Sequence, residues 1–333
     1  MSLATVKEWL NPGWVRRRTV PPMDTGLRPN LRLDDAAELL TPGEYQPDDV
    51  VLTAGGVVFS SGNRVIGGRE FPGRVAALAV RDGEVLAAVD GVGIVTATGE
   101  QVCTAVKSGV TALAAAPDGS LLATIGSTRE AQWARALVTG DRSGRLVRID
   151  GGRADVVAEG LAWPSGVGVS GDEVRLSLSL EHRIEARPLG ALGKRGRPVI
   201  ENLPVYPGRI SGDWIAAPYV RNRVTELLLD EPALLAEMTA TISPDEWFVP
   251  RLHAGNPFTD TMQMGQLRVL GVVKSWAPAR SCGLVFRLDE SGRVAESAHA
   301  RVDSPRHGVT GVAARDGRVV VTVHGNLLEL RDA

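Results

Sequence analysis

Apolar and polar positions alternate along this chain in short runs, and the runs come in pairs. Asp49–Ala54 is followed by Val57–Ser60, Val75–Val80 by Glu84–Val89, and Val110–Ala115 by Ser120–Ile125. The pattern continues with Gly166–Ser170 and Glu173–Leu178, Arg209–Ser211 and Trp214–Ala217, and Val309–Ala314 and Arg318–Val323. A period of two over runs this short predicts β-strands. Between the partners stand Gly55–Gly56, Asp82–Gly83, Asp118–Gly119, Gly171–Asp172, Gly212–Asp213 and Asp316–Gly317. Tight hairpins need positive φ in the turn, which glycine and aspartate tolerate best. One such hairpin cannot bury its own apolar faces, whereas six arranged radially can. The predicted fold is therefore all-β: a six-bladed β-propeller.

The repeat spreads from about residue 46 to residue 333, so one closed domain is expected there, with residues 1–45 as an N-terminal extension. Within that extension Val6–Leu10 and Asp34–Leu40 read as short helices, the second with two acidic residues in its first turn. Part of the extension is expected to supply the outer strand of the last blade and close the ring, which would otherwise have an open edge. Two partly helical insertions interrupt the repeat, at about 127–143 and 230–280. In the first, Arg129–Val138 predicts a helix. In the second, Asp230-Glu231-Pro232 predicts a helix start that continues to about Thr239. Each insertion follows the second strand of a blade, so both should overhang the same mouth of the central channel. Loops longer than about 15 residues in a compact domain are usually functional.

Composition changes this picture little. A formal net charge of −2 gives no electrostatic case for a nucleic acid or an anionic membrane. Only two cysteines occur, Cys103 and Cys282, in different blades, so no disulfide framework is implied. The N-terminus shows no apolar signal region and no window long enough to span a membrane, so the expectation is a cytoplasmic protein.

Several segments carry a family resemblance. Glu159–Ser170 (EGLAWPSGVGVS) is similar to the approach to the fourth blade in strictosidine-synthase-like propellers. Leu203–Ile210 (LPVYPGRI) with Gly212–Ala216 (GDWIA) resembles the approach to the fifth. Trp276–Leu284 (WAPARSCGL), Ser297–Arg301 (SAHAR) and Arg306–Thr310 (RHGVT) resemble a bacterial branch of that group, whose members are often gluconolactonase-like, of the senescence-marker-protein type. The resemblance implies one of two activities. One is calcium- or zinc-dependent hydrolysis of lactones and esters; the other is metal-free condensation of an amine with an aldehyde. Metal-dependent members hold their ion with a glutamate, asparagines and an aspartate at the starts of the inner strands. Here the corresponding positions offer Asp48, then Gly109-Val110-Thr111, then Pro164-Ser165-Gly166, then Pro207-Gly208-Arg209. One acid, one hydroxyl and one arginine make a poor calcium cage, so no metal and no other cofactor is expected.

His307 reads as the residue just before the sixth inner strand, as Asp48 is before the first. Asp48, Ser165, Arg209 and His307 are then expected at one mouth. There His307 would act as general base with Asp48, at a pKa depressed by Arg209, and Arg209 would meet an oxyanion. Arg306 is a second candidate for a substrate carboxylate. His299 and Arg301 share one strand face and read either as substrate contacts or as an exposed outer pair. His253, Asp260, Gln263 and Gln266 lie in the overhanging insertion as candidate contacts, and Lys274 as a candidate Schiff-base lysine or an ordinary surface one. His182 and His324 read as solvated. Trp133, Trp163, Trp247 and Trp276 fall in insertions or at blade starts, where indoles suit an apolar or aromatic ligand or simply pack the insertions down. Walker A, dinucleotide-binding and zinc-protease motifs are missing. These residues point to a small-molecule hydrolase of lactone or ester type. The alternatives are a metal-independent condensing enzyme or lyase, and a non-catalytic propeller that binds a small molecule or a protein.

Overall fold

In the computed structural model, which describes residues 25–41, 43–253, 268–269, 272–273 and 279–331, the hairpin dipeptides adopt the backbone their chemistry allows. Asp82 and Gly83 both have positive φ (53° and 83°), as do Asp316 and Gly317 (51° and 77°). Two successive positive values give the turn twist that joins right-twisted strands. All six predicted hairpins form, and they are the inner halves of six antiparallel blades.

The first blade is Pro47–Thr53, Gly56–Ser61 and Arg64–Ile66. The second is Val75–Arg81, Glu84–Val89, Gly93–Thr96 and Gln101–Cys103. Val110–Ala115, Leu121–Ile125, Gly144–Asp150 and Arg153–Leu161 form the third. Pro164–Ser170, Glu173–Leu178, Arg183–Pro188 and Arg197–Ile200 form the fourth. The fifth pairs Ile210–Ser211 and Trp214–Ala216 with Leu284–Leu288 and Val294–His299 from beyond the large insertion. The sixth is Val312–Arg315, Arg318–Val323 and Asn326–Glu329, and its outer strand is Ala37–Glu38, in register Ala37↔Glu329. Residues 34–40 thus form a turn and a strand, not the helix expected of them. The sheet edge of the sixth blade supplies backbone partners, which outweigh a weak local helix preference. Val6–Leu10 lies outside the described residues.

Burial follows the ring. Apolar clusters fill each blade–blade interface. Leu86 and Ile94 of the second blade meet Leu121 and Ile149 of the third, and Val285 of the fifth meets Val319 and Val321 of the sixth. Val50 and Phe59 of the first blade close the circuit against Val320 and Leu327 of the sixth. Around the axis the inner strands crowd, and small residues are required. A methyl group on Gly166 would collide with the Gly208 carbonyl oxygen of the neighbouring inner strand. Gly166→Ala is therefore expected to lower unfolding free energy by about 1–3 kcal/mol in urea titrations, through overpacking. An unchanged midpoint would mean that the inner strands can spread.

The insertions carry the three described helices. Trp133–Thr139 (α1) lies in the first. Arg223–Leu229 (α2) and Pro232–Thr241 (α3) lie in the second, which leaves the fifth blade after Ala216, earlier than the expected residue 230. The sequence pattern indicates α3 but not α2, whose start is the cap from Asn222 Oδ1 to the Thr225 N–H at 2.8 Å. Trp133, Leu137, Tyr206, Leu228, Met238 and Trp247 form one apolar cluster that ties the insertions together. Among the described residues no helix is long and apolar enough to cross a membrane.

Candidate functional site

A propeller brings the starts of its inner strands to one end of the axis. The residues found there are Asp48, Arg74 with Ala76, Val110 with Thr111, Ser165, Arg209 and Thr310, one group from each blade. They floor a cavity of about 600 Å³. Its walls come from both insertions: Gln132 and Trp133 from the first, and Tyr219, Asp245 and Val249–His253 from the second. Both insertions overhang the same mouth.

Arg209 occupies the middle of the floor. Its Nη1 donates to the carbonyls of Asp48 (2.7 Å) and Thr310 (2.9 Å). Its Nη2 donates to the Ala76 carbonyl (2.7 Å) and to Asp48 Oδ2 (3.3 Å), and Nε donates to the Thr111 carbonyl (3.1 Å). Asp49 Oδ2 lies 3.4 Å from Nε. All five guanidinium N–H groups are taken. The oxyanion contact expected of Arg209 has no donor left to make it.

Asp48 Oδ2 also accepts from Arg74 Nη2 at 2.8 Å. Burial works to raise the Asp48 pKa, but the guanidiniums of Arg209 and Arg74 outweigh it and hold the carboxyl below its ordinary value. The next residue behaves in the opposite way. Asp49 is buried, accepts the N–H groups of Val50 (2.9 Å) and Leu78 (2.7 Å), and is pushed up to about 6 by burial against the pull of Arg209. Ser165 donates its hydroxyl to the Pro207 carbonyl. Thr111 donates to the Pro164 carbonyl, and Thr310 to the Asp48 carbonyl at 2.8 Å.

The cavity wall is aromatic. Trp133 stacks on Tyr219 with ring centroids 3.8 Å apart and an 11° angle, and its Nε1 donates to Ser179 Oγ at 3.1 Å. Trp163 completes that side. Burial first, then the nearby Asp48 carboxylate, raises the Tyr219 pKa, so its hydroxyl stays protonated.

His307 is not part of this mouth. The sixth inner strand begins at Val312, and Gly308, at φ 68°, turns the chain between the two. His307 is 1% exposed. Its Nε2 faces the Arg301 carbonyl and its Nδ1 faces Ser281 Oγ, each at 2.7 Å. A carbonyl only accepts, so Nε2 carries the proton and Nδ1 accepts from the serine. The His307 pKa is lowered, and burial is the cause rather than Arg209. The histidine cross-links the loop before the sixth blade.

Arg306 is also committed elsewhere. Its Nη1 donates to the carbonyls of Leu33, Asp34 and Ala36, and Nη2 meets Glu38 Oε1 at 2.8 Å. It clamps the outer strand of the sixth blade. His299 bonds Ser297 Oγ at 2.9 Å, and Arg301 pairs with Asp34 at 3.5 Å, both at the outer edge of the fifth blade. His253 does line the cavity, with its ring 4.5 Å from that of exposed His324. His182, expected to be solvated, is buried: Nδ1 is 3.2 Å from the Val205 carbonyl and Nε2 3.4 Å from Glu226 Oε1. Trp247 packs between the insertion helices, its Nε1 donating to the Ile242 carbonyl at 2.9 Å. Gln266, Trp276, Asp260, Gln263 and Lys274 lie outside the described residues.

Two site residues escaped the sequence reading. Arg74 stands just before the second inner strand, much as Asp48 stands in the opening residues of the first; applying the same positional rule to every blade finds it. Tyr219 has no such signal, because its place depends on the path of the insertion.

No family model and no curated protein matches this chain. Solved structures do. A calcium-binding regucalcin from Agrobacterium tumefaciens superposes with a TM-score of 0.52 at 14% identity, covering 89% of this chain and 92% of that one. A luciferin-regenerating enzyme gives 0.52 at 11%, covering 87% and 92%. A gluconolactonase from Xanthomonas campestris gives 0.51 at 12%, covering 86% of each. These likenesses are of fold: six-bladed propellers of the regucalcin and gluconolactonase type. A calcium ion does not fit the axis of this chain. There a guanidinium fills the space, the Asp48 carboxylate is neutralised by two arginines, and among the described residues no three His, Cys, Asp or Glu side chains converge to hold an ion.

Proposed function

We propose that this protein hydrolyses a small lactone or ester with an aromatic or apolar body, in the cavity above Arg209, as a bacterial member of the gluconolactonase-like and strictosidine-synthase-like propellers its motifs resemble. The observation that supports this reading is an ionised carboxylate beside an accessible guanidinium on the floor of an aromatic-walled cavity. Asp48 Oδ1 carries no hydrogen bond from a described residue and is the acceptor available to hold a water. The Arg74 side chain, 60% exposed, is the donor that meets the acyl oxygen. The water adds to the carbonyl carbon, its proton passes by way of Asp48 to the departing oxygen, and the acyl carbon–oxygen bond breaks. Held ionised by two guanidiniums, Asp48 is a weak base, which suits strained lactones and aryl esters rather than amides.

A panel of γ- and δ-lactones and aryl esters tests this. Asp48→Asn and Arg74→Ala are each expected to lower kcat/KM by about 10²-fold or more. Because the Asp48 pKa lies below its ordinary value, the pH profile should stay flat through neutrality and fall only in the acid range, as Asp48 protonates. A silent panel, or turnover untouched by Asp48→Asn, defeats the reading. A second reading, ligand binding without chemistry, is favoured by one observation. Ser165 spends its hydroxyl on the Pro207 carbonyl and Ser179 Oγ accepts from Trp133 Nε1, so among the described residues neither cavity serine is paired with a base. A metabolite retained in native mass spectrometry, with no turnover of it, would favour that reading.

A further inference from the structure

Arg209 lines two cavities. Above it lies the 600 Å³ mouth; below it lies a second cavity of about 240 Å³, lined by the inner strands and by Asp49. The guanidinium is the partition between them. It belongs to the fifth blade, yet its bonds reach the first, second, third and sixth at the carbonyls of Asp48, Ala76, Thr111 and Thr310. The fourth blade joins through Ser165 and Thr111, whose hydroxyls bond the Pro207 and Pro164 carbonyls. Every blade is thus held at one point on the axis.

We propose that the Arg209 side chain is the resident cation of the propeller axis, and that the oxygens around it form a site selective for a planar guanidinium rather than for a hard metal ion. Three observations carry this. The first is coverage: five N–H groups meet four carbonyls and a carboxylate, leaving none unused. The second is size. With N···O distances of 2.7–3.3 Å, the oxygens stand roughly 3.5–4 Å from the guanidinium carbon. Calcium draws its oxygens to about 2.3–2.6 Å, so this ring is too wide to replace the ion's water shell. The third is charge. Arg209 and Arg74 face the carboxylates of Asp48 and Asp49, two against two, whereas a divalent ion in place of Arg209 would leave the group positive.

The test is chemical rescue, read by stability and not by activity. Arg209→Ala is expected to lower the thermal midpoint by roughly 5–10 °C, since a cross-blade charge is lost and two carboxylates lose a partner. Guanidinium chloride at about 10 mM, where its denaturing action is negligible, should restore most of that loss saturably. Methylguanidinium should do the same, while ammonium and calcium at equal ionic strength should not. The wild-type midpoint should be indifferent to all four additives and to chelator. Recovery with calcium but not with guanidinium would overturn the proposal, and so would an unchanged midpoint in Arg209→Ala. Should Arg209→Ala not fold, two measurements still decide. Arg209→Lys, which keeps the charge but not the planar fan of donors, should lose stability. Wild-type protein dialysed against calcium should take up none. A fully stable lysine variant, or one calcium bound per chain, would be fatal to the idea.

Discussion

Replacing Glu226 by alanine is expected to lower unfolding free energy by about 3–5 kcal/mol and to loosen the cavity wall in the same step. Glu226 lies in the first turn of α2, three residues after its start at Arg223, and its side chain is mostly buried. Its Oε2 meets Arg221 Nη2 at 2.8 Å, and its Oε1 accepts from the Tyr206 hydroxyl at 3.3 Å and faces His182 Nε2 at 3.4 Å. The Arg221 side chain is 7% exposed, so deleting the carboxylate leaves a buried guanidinium without its counter-charge. Burial would raise the Glu226 pKa, but the contacts from His182 and Arg221 prevail and bring it down to about 2 from an ordinary 4.5. A depressed folded value means stability that is present above pH 4.5 and lost as pH falls toward 2, worth roughly 3 kcal/mol. The alanine penalty should accordingly be full at neutral pH and shrink in acid. Tyr206 links this network to function, since its ring meets Trp133 edge-on at 4.8 Å and Trp133 forms the wall with Tyr219. Urea titrations at neutral and acid pH, with Trp fluorescence, check both parts. A loss under 1 kcal/mol at neutral pH, or one independent of pH, would show that the network adds nothing beyond packing.

The ring of six hairpins was legible because its turn residues and its period of two are local. The overhang of both insertions followed from strand order alone. Site membership was harder, for reasons that particular residues make plain. Counting back from a strand that starts at Val309 puts His307 at the axis, yet Gly308 turns the chain, the strand starts at Val312, and Thr310 is what reaches the axis. Arg209 lines the mouth, but an oxyanion role for it leaves out the carbonyls that surround it on the axis. A guanidinium surrounded by them is consumed by them. Arg306 met the same fate at the outer edge, where the Leu33, Asp34 and Ala36 carbonyls needed a donor. Asp48 and Asp49 are adjacent in sequence and opposite in environment. Only the alternation of a strand, with its two faces toward different cavities, separates them.

That separation leads to the second large effect: the penalty of Arg209→Ala should grow with pH. The Asp49 side chain is 5% exposed, and burial raises its pKa from 3.8 to about 6 even with Arg209 beside it. A raised folded value means that the contribution of Asp49 is fully present below 3.8 and is lost as pH rises through about 6. In the wild type that loss stops near roughly 3 kcal/mol, because Arg209 and two backbone N–H groups accept the ionised form. Without the guanidinium the folded pKa climbs further, so stability keeps falling above pH 6 until the new value is reached. At pH 5 the Asp49 carboxyl is mostly protonated in either protein and has little need of the arginine. Asp48 stays outside this window, since Arg74 remains to hold its pKa down. The difference in unfolding free energy between wild type and Arg209→Ala is therefore expected to be about 2 kcal/mol larger at pH 8 than at pH 5. Burial lowers the pKa of His182 and of His307, but both are present in each protein and their contributions cancel. Adding Asp49→Asn to each background should remove the pH dependence of the difference and leave only the lost carbonyl bonds. Urea titrations of the four proteins at the two pH values measure it. A penalty equal at both would mean that Asp49 does not depend on Arg209 for its charge.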